Sequence, residues 1–541
     1  MIIPSRWFSG LAATLLLGAH VLGADPSATT PFTPDRSAPD GGIQAAIDGR
    51  SRAGGGVVQL PAGEFALTRY LFLRNGVTLR GAEDGTTILT VANPPRQRRL
   101  LALDKAAATA TVEGDLSGLR TGMTVCIFSG GAETWSGHLG YPTIGRIEGN
   151  SLAFSETDKN TFIRSTNARP YLLYGNLTRL AAETVPGATS IRVTDPGIGA
   201  PGRALTFSGK GDQWDFHYNA ITAVTGDTFY LDRPLTVTAP TGSLVKLAFA
   251  LVTAEFQTGI GLENLTLRGI RAPGYRADWG GFLLAAFHSR DCTNVTLRNV
   301  TVEDWNGDGI SIQGGARALV DRCTALRNGG HGFHPGTGLK GGLLTNLVSG
   351  GNAGDGVYYC WHNEQVDVVD SVLTNNGANG VGGLGIPGDM RCTVARNRIE
   401  NNGKAGIEVM GGPDAHNRIL GNTIRNNSRS KPGAWPGVAL FAIYQEGSSG
   451  CLVASNTIEN TIEPTTQWVG IEERHATPSA LFSNRADKAT GLMLSDRNTI
   501  HSNTLRGHTT ADIVVAGPLT SVAAGQGVVK PAAPVSPENP K

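Results

Sequence analysis

A short motif returns along this chain at a nearly constant interval, and it limits the fold more than any other feature. Asp308-Gly-Ile, His331-Gly-Phe, Asp355-Gly-Val, Asn379-Gly-Val, Ala405-Gly-Ile, Pro436-Gly-Val and Val469-Gly-Ile place glycines at 309, 332, 356, 380, 406, 437 and 470. The intervals are 23, 24, 24, 26, 31 and 33 residues. Self-similarity at such a period marks a solenoid, in which each repeat buries its apolar face only against its neighbours. The period is too short for two packed helices with their loops. The residues between the glycines run in short stretches of Val, Ile, Leu and Thr, which read as strands. A stack of parallel strands follows, all-β, rising about 4.8 Å per turn of the chain.

Asparagine forms a second landmark. Asn375-Asn376-Gly377, Asn401-Asn402-Gly403 and Asn426-Asn427 close successive periods, and Asn422, Asn456 and Asn498 each precede Thr-Ile. Asparagine tolerates left-handed backbone. Stacked side chains of this kind can bond to one another in a ladder, as identical side chains do in other stacked strands. A solenoid also needs its ends covered. Residues 41–53 predict a capping helix with Ile43, Ala46 and Ile47 on one face. Residues 516–541, rich in proline and without apolar pattern, predict a disordered tail.

Residues 105–250 interrupt the period and carry a duplication of their own. Phe128 to Trp135 resembles Phe207 to Trp214, His138 and His217 follow, and Ile144 to Leu152 matches Ile221 to Phe229. Two copies of a small β unit inserted into the solenoid are expected. Trp135 and Trp214 serve either its core or a lid that stacks on sugar rings. The resulting division is 24–104 for the cap and first rungs, 105–250 for the insertion, and 251–515 for the main solenoid.

Charge and composition narrow the partners. The 46 Lys and Arg against 45 Asp and Glu give +1, so nucleic acid is not an expected partner. Arg6, the apolar run Phe8 to Leu22, and small Gly23 and Ala24 read as a signal peptide over 1–23. A secreted or periplasmic chain with no membrane span after signal removal is the expectation. The six cysteines, 126, 292, 323, 360, 392 and 451, contain no Cys-x-x-Cys pair. Buried apolar stacking is therefore preferred to zinc or a disulfide framework.

Several stretches resemble known families. Gly42 to Phe65, together with the rungs from about 250 to 510, resembles the pectate-lyase-like and rhamnogalacturonase-like proteins. The resemblance implies a right-handed parallel β-helix with a polysaccharide partner, and a superfamily holding lyases, hydrolases, epimerases and non-enzymatic proteins. Within the rungs, Gly307-Asp308-Gly309 followed by Gly330-His331-Gly332 is similar to polygalacturonase-type hydrolases. Asp308 falls there on the family's general acid and His331 on its histidine, while Gly309 replaces a second Asp. His331-Gly332-Phe333-His334-Pro335-Gly336 followed by Asp355-Gly356-Val357 resembles the catalytic rungs of mannuronan C5-epimerases. His331 stands at the family's Tyr, His334 at its Asp, and Gly336 at its His.

Stacking the rungs in register puts Asp308, His331, Asp355 and Asn379 in one column, and Ser311, His334, Tyr358, Gly382 and Glu408 in a second. Asp308, His331, His334 and Tyr358 are the candidate catalytic residues. A carboxylate beside a histidine sets its tautomer and basicity, and a base with a nearby acid suits proton abstraction beside a uronate carboxylate. Asp355, Lys340, Arg317, Trp361, His362, Glu364 and Glu408 are candidate substrate contacts, the basic ones to neutralise a uronate. No metal ligand set is assigned; no cofactor is demanded, although a divalent cation such as calcium is compatible. Asp or Asn before Gly is also an ordinary turn choice. A lyase or C5-epimerase on a uronate-containing polysaccharide is the leading expectation. The alternatives are a glycoside hydrolase using Asp308 with Asp355 or Glu408, and a non-catalytic glycan-binding solenoid.

Overall fold

The computed structural model describes residues 29–33, 40–92, 96–129, 138–155, 170–206, 219–248, 250–271, 285–385, 388–412, 415–441, 448–475 and 493–531. The signal-peptide reading, Trp135, Trp214 and His217 lie outside these residues.

Each full rung contains three short strands, as in Ile310–Gln313, Ala316–Asp321 and Thr324–Leu326. Rungs pair in parallel and in register, Ile310 on Phe333, Phe333 on Val357 and Val357 on Val381. Alternate side chains point to opposite faces of a strand. Phe287, Ile310, Phe333, Val357, Val381, Ile407, Val438 and Ile471 therefore form one fully buried inward column. Burial of each such side chain contributes about 1.5–3 kcal/mol. His288, Ser311, His334, Tyr358, Gly382 and Glu408 point the other way along the same strands.

The periodic glycines stack at one corner for a steric reason. A Cβ on Gly309, Gly332, Gly356, Gly380 or Gly406 would lie 2.6–2.7 Å from the carbonyl oxygen of the glycine one rung on. Only a hydrogen fits between rungs there. The asparagines form two ladders rather than one. Asn328, Asn352, Asn376, Asn402 and Asn427 each donate Nδ2 to the next member's side-chain oxygen, and Gln467 ends the series. Asn397, Asn422, Asn456 and Asn503 do the same at another corner, ending on Gln526. Asn375, Asn401 and Asn426 take left-handed backbone, φ 53–57°. All six cysteines are free thiols, five of them buried.

The cap is the helix Ile43–Arg52, with Ile43 and Ile47 buried. At the other end the tail expectation is corrected over its described part. Val529–Pro531 pairs with the strand Ala511–Val515, and the fully buried Glu473 accepts from the backbone N–H groups of Ala516 and Gly517. Backbone pairing and a buried carboxylate hold residues that composition alone leaves loose.

The insertion begins earlier than its periodicity suggests, because the strand Arg96–Asp104 already belongs to it. It forms two antiparallel sheets with one plan. The hairpin Ile144–Glu148/Ser151–Phe154 carries a bulge between 144 and 146, and Asn219–Thr225/Thr228–Leu231 carries one between 221 and 223. Strands Thr109–Val112 and Ser190–Arg192 flank these hairpins at equivalent places, and each half has its own core. The lobe enters at the corner preceding Val252–Glu255, the corner that carries the glycines in later rungs. Gln97 Nε2 donates to Asn306 Oδ1 at 3.2 Å, two residues before Asp308.

Candidate active site

Four rungs build the site. Asp308, His331, Asp355 and Asn379 each precede a stacked glycine, so the corner holds them one above another. His331 donates its backbone N–H to Asp308 Oδ1 at 2.7 Å, and Asn379 donates its own to Asp355 Oδ1 at 2.6 Å. Across the column, Asp308 Oδ2 lies 2.6 Å from His334 Nδ1. An ionised carboxylate only accepts, so this contact puts the proton on Nδ1 and leaves Nε2 as the basic nitrogen. His331 Nδ1 lies 3.0 Å from the Asp355 N–H and 3.1 Å from Asp355 Oδ2. The amide suits the neutral ring and the carboxylate the protonated one. Tyr358 stacks face to face on His331, with centroids 4.4 Å apart, and meets His334 edge-on at 5.0 Å.

Burial and charge set the protonation states. Burial pushes Asp308 upward, but the histidines around it more than offset this, and its carboxyl stays below its usual range. Asp355 behaves alike, burial being outweighed by His331, the Asn379 N–H and Lys404. Burial lowers the His334 pKa against the pull of Asp308, so the ring is neutral near pH 7. His288, fully enclosed beside this column, is driven down to about 3 by burial, Arg290 and His334. Glu408 is raised to about 7, chiefly by burial, with Lys404 lowering it and Asp355 raising it. Asn379 Nδ2 donates to Glu408 Oε2 at 2.7 Å and ties that carboxyl to the column.

Asp308, His331, His334, Tyr358 and Asp355 thus come together, with Glu408 joined through Asn379. Trp361 packs beside Tyr358, and His362 follows it, both in left-handed backbone just after the site strand. Arg317, Lys340 and Glu364 do not join them. The chain turns at Gly314-Gly315 and again at Thr337-Gly338, so these three lie on the adjoining sheet. There Arg317 Nε donates to Asn294 Oδ1 at 2.7 Å, and Glu364 pairs with Arg391. The cation that sequence reading missed is Lys404, whose charge acts on both Asp355 and Glu408. Its signal was its place two residues before a periodic glycine, where earlier rungs have Gly307, Gly330, Gly354 and Ala378.

The glycines around the site have a second use. A Cβ on Gly330 would overlap the Asp308 carboxylate, and one on Gly382 would stand 2.8–2.9 Å from that of Asp355. They make room for the acidic side chains as much as for any substrate.

Asp308, His331 and His334 offer one ligand atom each within 4.8 Å of one another. Two imidazoles and one carboxylate suit a borderline cation such as zinc and do not fit calcium, which takes oxygen ligands. In the described arrangement Asp308 and His334 spend their facing atoms on each other.

A family model described as a right handed beta helix region matches residues 285–434 and 355–519. No curated protein sequence matches the chain. Among solved structures, the A-module of the mannuronan C-5 epimerase AlgE4 of Azotobacter vinelandii is 17% identical, covering 89% of this chain and 95% of that one, with a TM-score of 0.44. The periplasmic alginate epimerase AlgG, as a double mutant, is 13% identical over 52% of this chain and 62% of its own, TM-score 0.35. The tailspike gp61 of Pseudomonas phage phi297 is 12% identical over 89% and 65%, TM-score 0.33. No helix among the described residues is long and apolar enough to cross a membrane. The stacked rungs and glycine corner give the chain the fold of a right-handed parallel β-helix carrying an inserted, duplicated β lobe, and the family model matches its rungs between 285 and 519.

Proposed function

We propose that this protein is an exported carbohydrate-active enzyme that removes the C5 proton of a uronate residue in a polysaccharide, as a lyase or a C5-epimerase. The observation that carries the reading is the buried Asp308–His334 pair at 2.6 Å with Tyr358 against it on the next rung. His334, neutral and oriented through Nδ1, accepts the proton at Nε2. Charge then builds on the uronate carboxylate, and Lys404 is the cation at this corner that would offset it. In elimination, the C4–O4 bond breaks, C4=C5 forms, and Tyr358 gives its proton to O4. In epimerisation, Tyr358 gives it to C5 from the opposite face. No step requires a metal. The likeness of the 331–336 rung to the catalytic rung of mannuronan C5-epimerases supports the same chemistry.

One observation favours a second reading. Glu408, raised to about 7, is a carboxylic acid beside the ionised Asp355. A glycoside hydrolase needs such an unequal pair. Incubation with a panel of uronate polysaccharides in heavy water separates the cases. Unsaturated chain ends indicate a lyase, and deuterium at C5 without chain shortening indicates an epimerase. New reducing ends with neither indicate a hydrolase and would displace the proton-abstraction reading. Tight binding with no product would leave only a glycan-binding solenoid.

A further inference from the structure

The inserted lobe contains a cleft of about 710 Å³ that no step of the proposed chemistry uses. Its walls come from both halves of the duplication, and equivalent loops supply them. Gly122 donates its N–H to Ile144 O and Gly202 donates to Ile221 O, each at 2.7 Å, and the next residues, Met123 and Arg203, both line the cleft. Arg96, Arg120 and Tyr174 complete the relevant surface. Arg120 is neutralised by Asp195. Arg96 feels the charge of Asp115, which Arg98 shares, without a close ion pair, and Arg203 has no carboxylate partner among the described residues. Arg96 Nη1 donates to Ser117 O at 3.0 Å, and Arg203 Nη1 donates to Ile198 O at 2.6 Å. Arg203 is partly enclosed, and burial draws its pKa down. A partly buried guanidinium without an anion is costly.

We infer that this cleft is a binding site for the acidic sugar units of a glycan, separate from the histidine corner, with Arg203 and Arg96 holding the carboxylate or sulfate. The volume is that of a small organic ligand and far exceeds one inorganic anion. Guanidinium forks match such oxyanions in a bidentate manner. The two halves are alike in plan, yet Arg203 stands where the first half has Met123, so the positive charge at this position belongs to one half only. That the anion is a sugar acid rests on the polysaccharide reading proposed above, while the paired guanidiniums do not depend on the chemistry at His334.

Calorimetric titration of the full chain with trisaccharides of galacturonate, mannuronate and glucuronate tests it, with maltotriose and sodium sulfate as comparators. Arg203→Met copies the residue of the other half, so it is compatible with the lobe; Arg96→Gln is a second, independent variant. The expected result is that at least one acidic trisaccharide binds, maltotriose does not, and both variants weaken that binding by about tenfold or more. His334→Ala should leave the same binding event in place. The inference is overturned if no acidic trisaccharide binds, if both variants bind as the parent does, or if sulfate binds as tightly as the trisaccharides.

Discussion

His334 sits in a setting that a structural histidine does not need. Its ring is buried against a carboxylate on one side and a phenol on the other. If it is the base, His334→Ala should lower turnover per folded molecule by about 10²-fold or more, alongside the fall in melting temperature expected from leaving the buried Asp308 carboxylate without its partner. A fall in melting temperature with turnover per folded molecule intact would assign it to packing. The pH profile adds a second measurement. Because burial holds the His334 pKa below 6.5, kcat/KM should rise with pH through a value under 6.5 and then level off. Glu408 makes the opposite contribution to stability. Its folded pKa, about 7, lies above the ordinary 4.5, so the unfolded chain releases this proton first as pH rises. Stability from this group is full below about 4.5 and is lost as pH rises through about 7, and Glu408→Gln should flatten the melting temperature across that window. Dialysis against a chelator should leave activity unchanged; its loss, with recovery on adding zinc, would turn Asp308, His331 and His334 into a metal centre. Most of these residues were legible in the sequence because the repeat converts a spacing of 23 or 24 residues into one rung. Lys404 was not read, because its periodic place two residues before Gly406 is held by Gly or Ala in the earlier rungs and does not tell which carboxylates its charge meets.

At the scale of the strand and its turn, the glycine corner and the asparagine ladders hold the rungs in register. Gly356→Ala would place a methyl carbon 2.6 Å from the Gly380 carbonyl oxygen, so a loss of roughly 2 kcal/mol in denaturant stability is expected. Asn402→Ala removes the acceptor used by both the backbone N–H and Nδ2 of Asn376 and should cost about 3 kcal/mol, since buried donors lose their partner. An unchanged urea midpoint in either variant would mean that the rungs slide to compensate. The glycine period was plain in the sequence, because a steric requirement repeated at every rung leaves one residue type. That the asparagines form two ladders was not, because Asn402 and Asn422 look alike until the chain is wound and each falls at its own corner.

The largest scale joins the lobe to the solenoid. Arg233 Nη1 meets the buried Glu255 at 2.6 Å, a contact between the lobe and the rung that follows it. Arg233→Met should destabilise the whole chain by about 2 kcal/mol, at the lower side for a buried pair because the arginine is partly exposed. Adding Glu255→Gln should recover most of that loss in the same denaturation experiment. If the single variant is neutral, other contacts hold the lobe.

The sequence by itself determined the solenoid, its handed family likeness, the duplicated insertion and the stacking of Asp308 with His331 and His334. Each rests on a period, and a period survives in one dimension. Only the tertiary structure decided that Arg317, Lys340 and Glu364 lie around a turn from the histidines, and that residues 516–531 close the last rung. It also decided that the lobe leaves the solenoid at the corner carrying the site. Those facts depend on where the chain bends and what it meets there, and no local run of residues records either.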